Sequence, residues 1–369
     1  MLLLWFGIFA ILILFVQARL FARYSLRRIT YSRHFQKQAC FRGEQLELIE
    51  QLSNEKWLPV PWLRVESQLS SGLTFKKQDN LDVSSGQLLQ NHKSFFTLKP
   101  YTKVTRRHKI TAAKRGRYRL QSVTLTGSDL LGTRYMTKQL KLDGDGELIV
   151  YPLPAEVPVH ELPTSSWQGD RSVRRWIVED PFVVTGARDY RPGDSYKQVN
   201  WKATARAGRL QVHQYDFTAD RKLMIYLNGE DREGMWRDVT DEALIERGIE
   251  WAAGAAQTVL QEGMEAGFCT NLTVEGRVES TMVESRSGGG QLTELLETMA
   301  ALTLSRTELF SELLEREGRN LAFRQDILVI SAYWNDGLQA IADRLRADGH
   351  AVAVWQLEPD DVEKAGAAI

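Results

Sequence analysis

The chain has 369 residues, 43% hydrophobic and 25% charged, enough for two or three domains of ordinary globular composition. This composition excludes a disordered, collagenous or multi-span membrane protein. Two cysteines, Cys40 and Cys269, exclude a disulfide framework or a thiolate zinc site and fit a reducing compartment. A net charge of zero conceals an asymmetry: residues 1–224 hold 35 Lys and Arg against 20 Asp and Glu, and the remainder 12 against 27. Asymmetry of this size reports a partner or a surface.

Met1 to Val16 carries no charge. With Gln17 and Ala18 it falls just short of the roughly 20 residues that span a bilayer core. Arg19, Arg23, Arg27, Arg28 and Arg33 follow, with no charge before the segment. This order predicts a single transmembrane anchor over residues 1–18 and a basic juxtamembrane segment over 19–41. The bulk of the chain is then cytoplasmic, and the collar faces anionic lipid. A secretory signal has the reverse charge order. A two-helix hairpin with an additional upstream helix would leave the same side occupied.

From Arg42 to Pro152, short alternating runs (Gln45–Leu52, Trp62–Leu69, Ser94–Leu98, Tyr101–Ala112, Tyr118–Thr126) predict an all-β sandwich. A connector with Pro154, Pro158 and Pro163 opens a joining region over 153–219. Beyond residue 220 the pattern changes. Lys222–Leu227, Asp326–Ser331 and Ala351–Gln356 are apolar runs expected of buried strands, with another strand at Thr281–Ser285. Helices are expected at Asp241–Gln261, Leu292–Leu302, Glu308–Glu317 and Leu338–Ala347. Alternating strands and helices predict a doubly wound α/β domain over 220–369.

Between the two lies Gly186–Tyr215. Pro192-Gly193 predicts a type II turn. Asp194 is placed to cap a helix from Ser195, with Gly208 at its end. Arg188, Asp189, Arg191, Asp194, Lys197 and Lys202 crowd together, as a docking surface or as an ion-pair network that fixes the joint. Trp201 is expected as a packing anchor of the linker helix.

The run Arg188–Val212, containing RPGD, NWKATAR and GRLQV, resembles the signature of the domain of unknown function 58 family. Arg42-Gly43-Glu44, Leu58–Val65, Arg115-Gly116-Arg117-Tyr118 and Leu148–Pro152 extend the resemblance. It implies a protein of the bacterial cytoplasmic membrane, with an immunoglobulin-like sandwich and a von Willebrand factor A-like α/β domain. It also implies association with a MoxR-type AAA+ ATPase in assembling or activating another complex, without established enzyme activity. The signature residues Arg188, Asp189, Tyr190, Arg191, Gly193, Asp194, Asn200, Trp201, Lys202 and Arg206 are the candidate interaction set. A-type domains often bind a cation through Asp-x-Ser-x-Ser after the first strand. Here Asn228-Gly229-Glu230-Asp231-Arg232 occupies that place, a degenerate site for which no metal is expected.

No catalytic set stands out, and no cofactor is expected. Ser53-Asn54-Glu55-Lys56 has Ser-x-x-Lys spacing but lacks companion motifs. His34, His92, His108, His160, His213 and His350 show no ligand spacing and are expected at surfaces or edges. The Gly-rich run Ser287–Gly290 lacks the Lys-Ser/Thr of a P-loop. Arg106, Arg107, Lys109, Lys114, Arg115, Arg117 and Arg119 have only Tyr118 interleaved, so a solvated or lipid-facing sheet is expected rather than nucleic-acid binding. The leading expectation is a non-enzymatic adaptor. The alternative is a membrane-bound hydrolase using Asn228, Glu230, Asp231 and Asp336 at the carboxyl edge of the α/β sheet.

Overall fold

A computed structural model of the chain describes residues 2–75, 81–85, 89–120, 122–142, 146–157, 162, 184–191, 196, 199–215, 222–275, 277, 279–321 and 324–358. The N-terminal apolar run forms one unbroken helix, α1 (Leu2–Tyr24), that continues past the expected end at residue 18. Its last turns dock on the following β-rich part, burying Ala18 and Phe21.

That part contains β1 (Ile29–Phe35), β2 (Ala39–Phe41), β3 (Gln45–Asn54), β4 (Val60–Ser70), β5 (Leu73–Phe75), β6 (Leu81–Ser85), β7 (Leu89–Leu98), β8 (Lys103–Ala112), β9 (Gly116–Arg119), β10 (Ser122–Ser128), β11 (Tyr135–Lys141) and β12 (Glu147–Tyr151). Two antiparallel sheets, β1-β3-β8-β5 and β11-β10-β4-β7-β6, share one interior, and a small sheet β2-β12-β9 closes one side. Period-two burial along β3 turns Leu46, Leu48, Glu50 and Leu52 inward. One apolar cluster holds Leu46, Leu48, Ile110 and Leu148. A second holds Leu52, Leu63, Val65, Phe96 and Leu125.

Two expectations, on the arginine collar and on the histidines, are corrected by burial. Residues 29–35 are a strand, so Arg33 is not part of the collar but is buried between the sheets. His92 and His108 are likewise interior, and His350 is buried in the α/β part. Arg33, Glu50 and His108, with Tyr31 and Ser67, form a polar network in the sheet interior. His108 Nε2 lies 3.1 Å from Glu50 Oε2 and Tyr31 Oη donates to Glu50 Oε1 at 2.7 Å, while Arg33 donates to Ser67 Oγ. Burial alone would raise Glu50, but the His108 hydrogen bond, the Arg33 charge and Tyr31 outweigh it and hold the carboxyl below its ordinary value. His92 packs on Phe75 with ring centroids 4.0 Å apart, and neither ring nitrogen has a hydrogen-bond partner among the described residues. Burial pushes it down to about 3.

The C-terminal part is α/β. Its elements are β13 (Val184–Asp189), α2 (Trp201–Ala207), β14 (Gln211–Tyr215), β15 (Lys222–Leu227), α3 (Glu242–Gln261), β16 (Glu265–Thr270), β17 (Leu272–Val274), β18 (Thr281–Arg286), α4 (Gly289–Ala301), β19 (Leu302–Arg306), α5 (Phe310–Asn320), β20 (Asp326–Ser331), α6 (Asp336–Ala347) and β21 (Ala351–Gln356). The central sheet runs β18-β16-β15-β20-β21, parallel except for β18. Alternate residues of β15 serve opposite faces. Leu223, Ile225 and Leu227 pack with α3 and α4, while Met224 and Tyr226 pack with α5 and α6. Helices thus cover both faces, as a largely parallel sheet requires.

Arg115 joins the two parts. Expected on a solvated sheet, its side chain is only 4% exposed. It pairs with Glu246 of α3 at 2.9 Å, and its Nη1 donates to the carbonyls of Met299 (2.8 Å) and Leu302 (2.9 Å). The guanidinium therefore caps the carbonyl end of α4, where a cation also complements the helix dipole. Arg42 reaches Glu250, one turn further along α3, at 2.6 Å. The connector then crosses α3 where Gly254 leaves room, since a Cβ there would lie 2.1 Å from the Ala155 carbonyl oxygen.

Candidate functional site

Two places concentrate the residues singled out from sequence. The first is the carboxyl edge of the central sheet. The chain leaves β15 toward β16 on one side and later returns as β20 on the other, so the edge beside β15 is a topological switch point. Open α/β sheets place ligands at such points.

Asn228 follows β15, Asn271 follows β16, Ser331 ends β20 and Tyr333 follows it, so the topology brings them together. Asn228 Nδ2 donates to Ser331 Oγ at 2.9 Å, and Asn228 Oδ1 accepts from the Glu230 amide at 2.9 Å. Asn271 Oδ1 accepts from the Gly229 amide at 2.8 Å. Gly229 is obligatory here, because a Cβ would lie 2.3 Å from Leu272 Cδ2. Glu230 is the centre of the group. Its Oε1 accepts from the Phe310 amide at 2.9 Å and from Asn271 Nδ2 at 3.3 Å, with Arg306 Nη1 at 3.7 Å. Its Oε2 accepts from the Tyr333 hydroxyl. Burial, then the neighbouring Glu230, raises the Tyr333 hydroxyl, so it stays a donor. Phe310 opens α5, whose N-cap position, Leu309, makes no side-chain cap bond. Glu230 supplies that cap from across the sheet edge.

Chemically this is a lock. Both oxygens of Glu230 accept from other segments, Oε1 from Phe310 and Asn271 and Oε2 from Tyr333, so the carboxylate ties three segments together at the sheet edge. The other suspected acids do not converge on it. Asp231 Oδ2 accepts from the amides of Thr240 and Asp241, closing the loop before α3. Asp336 is exposed in the first turn of α6, which Asn335 caps. Among the described residues, no group of three or more His, Cys, Asp or Glu is arranged to hold a metal ion. In the Ser53–Lys56 run, the Lys56 ammonium donates to Asn54 Oδ1 at 2.9 Å.

The second place is the signature segment. β13 and β14 pair antiparallel, setting Arg188 opposite Val212 and Asp189 opposite Gln211. The helix is shorter than expected, beginning at Trp201, and Asn200 caps it by accepting from the Ala203 amide at 2.9 Å. The Asn200 amide is itself held by the Gln211 carbonyl at 2.8 Å, which fixes the turn into the helix there. Gly208 ends it at φ +66°, as expected. Gly193, Asp194 and Lys197 lie outside the described residues.

Among the described residues of the expected ion-pair network, Arg188 is half-buried and Asp189, Arg191 and Lys202 are exposed. Asp189 pairs with Arg209 at 3.1 Å, both exposed, and accepts from Gln211. Trp201 is no packing anchor: it is 68% exposed, and α2 buries no residue. Lys202, Arg206 and Arg191 are exposed as well. Tyr190 stacks on Tyr196 with centroids 5.7 Å apart. The segment thus presents aromatic and basic side chains to solvent. The sequence reading missed the joint made by Arg42 and Arg115. Its only signal was that both arginines lie in the outer motifs of the resemblance.

A β-rich part preceded by an apolar helix and followed by an α/β part defines the class of this chain. Residues 186–366 match the family described as Protein of unknown function DUF58, and the chain carries a domain of that family. It is 23% identical over 268 residues to the uncharacterized protein YeaD of Bacillus subtilis (strain 168), covering 72% of this chain and 62% of that relative. Among solved structures, a non-cellulosomal cohesin from the archaeon Archaeoglobus fulgidus overlaps 33% of this chain and 91% of its own (TM-score 0.22, 10% identity). Native alpha-2-macroglobulin from Escherichia coli overlaps 34% and 23% (TM-score 0.25, 14% identity). Both overlaps are too slight to assign a fold.

Proposed function

We propose that this chain is a membrane-anchored, non-enzymatic adaptor. In this reading residues 1–18 are its bilayer anchor, 42–152 an immunoglobulin-like sandwich and 220–369 a von Willebrand factor A-like domain. The observation that carries it is the state of Glu230. The Glu230 carboxylate at the switch point is engaged in holding three segments together, while the signature segment turns aromatic and basic side chains to solvent. Arg115 and Arg42 hold the β-rich and α/β parts to one another, which suits a platform. One helix, Leu4–Tyr24, is long and apolar enough to cross a membrane. With Arg19 and Arg23 in its last turns and Arg27 and Arg28 just after it, this supports a cytoplasmic placement of the bulk at a bacterial inner membrane.

The partner we propose, from the family resemblance, is a MoxR-type AAA+ ATPase acting with this chain on a client complex. In-cell crosslinking of the full-length protein followed by mass spectrometry tests it. Capture of such an ATPase, lost when exposed acids of the C-terminal half are charge-reversed, supports the adaptor; capture of none with several crosslinkers sinks it. The hydrolase reading makes a different demand. D231A/D336A must then fail to complement a strain lacking the gene, whereas the adaptor reading expects full complementation.

A further inference from the structure

The β10–β11 loop, residues 129–134, lies against the anchor helix and sets two adjacent leucines among polar residues. Asp129 receives a hydrogen bond from Gln17 Nε2 at 3.3 Å. Two residues earlier, a Cβ on Gly127 would lie 3.0–3.1 Å from Leu26 and Ser25, where α1 has ended. From Ser25 back to Gln17 is about 12 Å along a helix axis. The end of β10 therefore runs alongside the last turns of α1 toward the membrane segment, and the loop tip starts level with Gln17, where the uncharged run Met1–Ala18 ends. At that tip Leu130 and Leu131 are 56% and 59% exposed. Asp129 holds the loop shape by accepting from the amides of Thr133 (2.6 Å) and Arg134 (3.3 Å).

An independent observation points the same way. Tyr135, the first residue of β11 and 64% exposed, meets Trp62 edge-on at 5.7 Å, and Trp62 meets Phe95 at 6.0 Å. This aromatic row spans four adjacent strands, from β11 across β10 to β4 and β7, at the loop's end of the sheet. Amphipathic aromatic rings concentrate at the membrane–water boundary. The exposed arginines 19, 23, 27 and 28 flank the same end of α1, as anionic headgroups favour.

We propose that the β10–β11 loop is a second membrane contact, inserting Leu130 and Leu131 into the lipid interface beside α1 with the Tyr135–Trp62–Phe95 row at headgroup level. The occupant is the bilayer itself, because the loop is held against the helix that enters it. The proposal rests on the anchor reading above.

The full-length chain, reconstituted in vesicles of phosphatidylcholine and phosphatidylglycerol, tests both separately. A single environment-sensitive fluorophore is placed through L12C in the anchor, L131C or Y135C at the loop, or W236C on the α/β part. The native Cys40 and Cys269 are buried. Quenching by lipid bearing a shallow nitroxide is compared with quenching by aqueous iodide. The expected result is lipid quenching at 12, and lipid quenching at 131 and 135 at least about threefold above that at 236, as for side chains about 5–10 Å deep. Lipid quenching at 12 with iodide quenching at 131 and 135 overturns the loop contact and leaves the anchor standing. Protection of 131 and 135 from both quenchers also overturns it, assigning the loop to a protein partner. Iodide quenching at 12 overturns the anchor and the loop contact together.

Discussion

Arg115 and Trp201 both lie in stretches that carry the family resemblance, yet they occupy opposite physical situations. Arg115 is enclosed, its guanidinium shared between Glu246 and the last carbonyls of α4. Trp201 stands on a two-turn helix that buries nothing. A motif residue can therefore be there for the integrity of the body or for what the body meets. Burial and hydrogen bonding separate the two kinds where the letter code does not.

Substitutions should separate them quantitatively. The largest effect is expected for R115A, which leaves Glu246 without its partner and the α4 carbonyls uncapped. A loss of about 3 kcal/mol follows from breaking a largely buried pair, read as a lower urea midpoint of the full chain in detergent. E230A should cost about 2 kcal/mol, because it orphans the Phe310 amide and the Tyr333 hydroxyl. The expected signature is faster amide exchange at the start of α5. Unchanged exchange there would refute the capping role of Glu230.

Acid should act on the β-rich part. His92 is pushed down from 6.5 to about 3 in the fold. Between those values the unfolded chain binds a proton that the folded chain does not, so stability falls as pH falls across that window. The slope from this one group is about 1.4 kcal/mol per pH unit. Glu50, held below its ordinary value, contributes stability that is complete above its unfolded value and is lost as pH drops through its folded one. The slope should flatten in H92F, measured by urea denaturation at several pH values.

On the exposed side the expected changes shrink. N200A removes a helix cap and should cost about 1 kcal/mol, confined to the signature segment. W201A should leave stability within about 0.5 kcal/mol while reducing crosslinked partner in the cell. If W201A instead lowers the urea midpoint as R115A does, the contrast between the two residues collapses.

The sequence made the α/β part largely legible. Lys222–Leu227, Asp326–Ser331 and Ala351–Gln356 are strands with the bounds expected of them, because strands covered on both faces are continuous apolar runs. β16 (Glu265–Thr270) was invisible for the opposite reason. Its Gly267 leaves no room for a side chain, since a Cβ would lie 2.6 Å from both Met224 Sδ and Ser285 Oγ, so the run lacks the bulk that marks a strand. β1 was hidden because its inward set, Ile29, Arg33 and Phe35, carries a charge in an apolar slot. The same substitution recurs at Glu50 in β3 and His108 in β8, and these three interior residues find one another only in the folded sheets. At the carboxyl edge, the sequence brought Asn228 and Glu230 to notice, but Asn271, Arg306 and Tyr333 enter through sheet topology that no local pattern encodes.

Only Ser25–Arg28 separate α1 from β1, and Phe21 is packed into the body before the helix ends. With α1 in a bilayer, such a junction works as a mast rather than a leash. The signature segment would sweep a shell of nearly constant height above the lipid, and two copies, or a copy and a membrane-bound client, would meet by lateral diffusion with their tilt already set. Inserting a flexible Gly/Ser stretch after Arg28 would remove the short covalent link and leave the docking of the last turns of α1, with Ala18 and Phe21 buried, as the hold on that alignment.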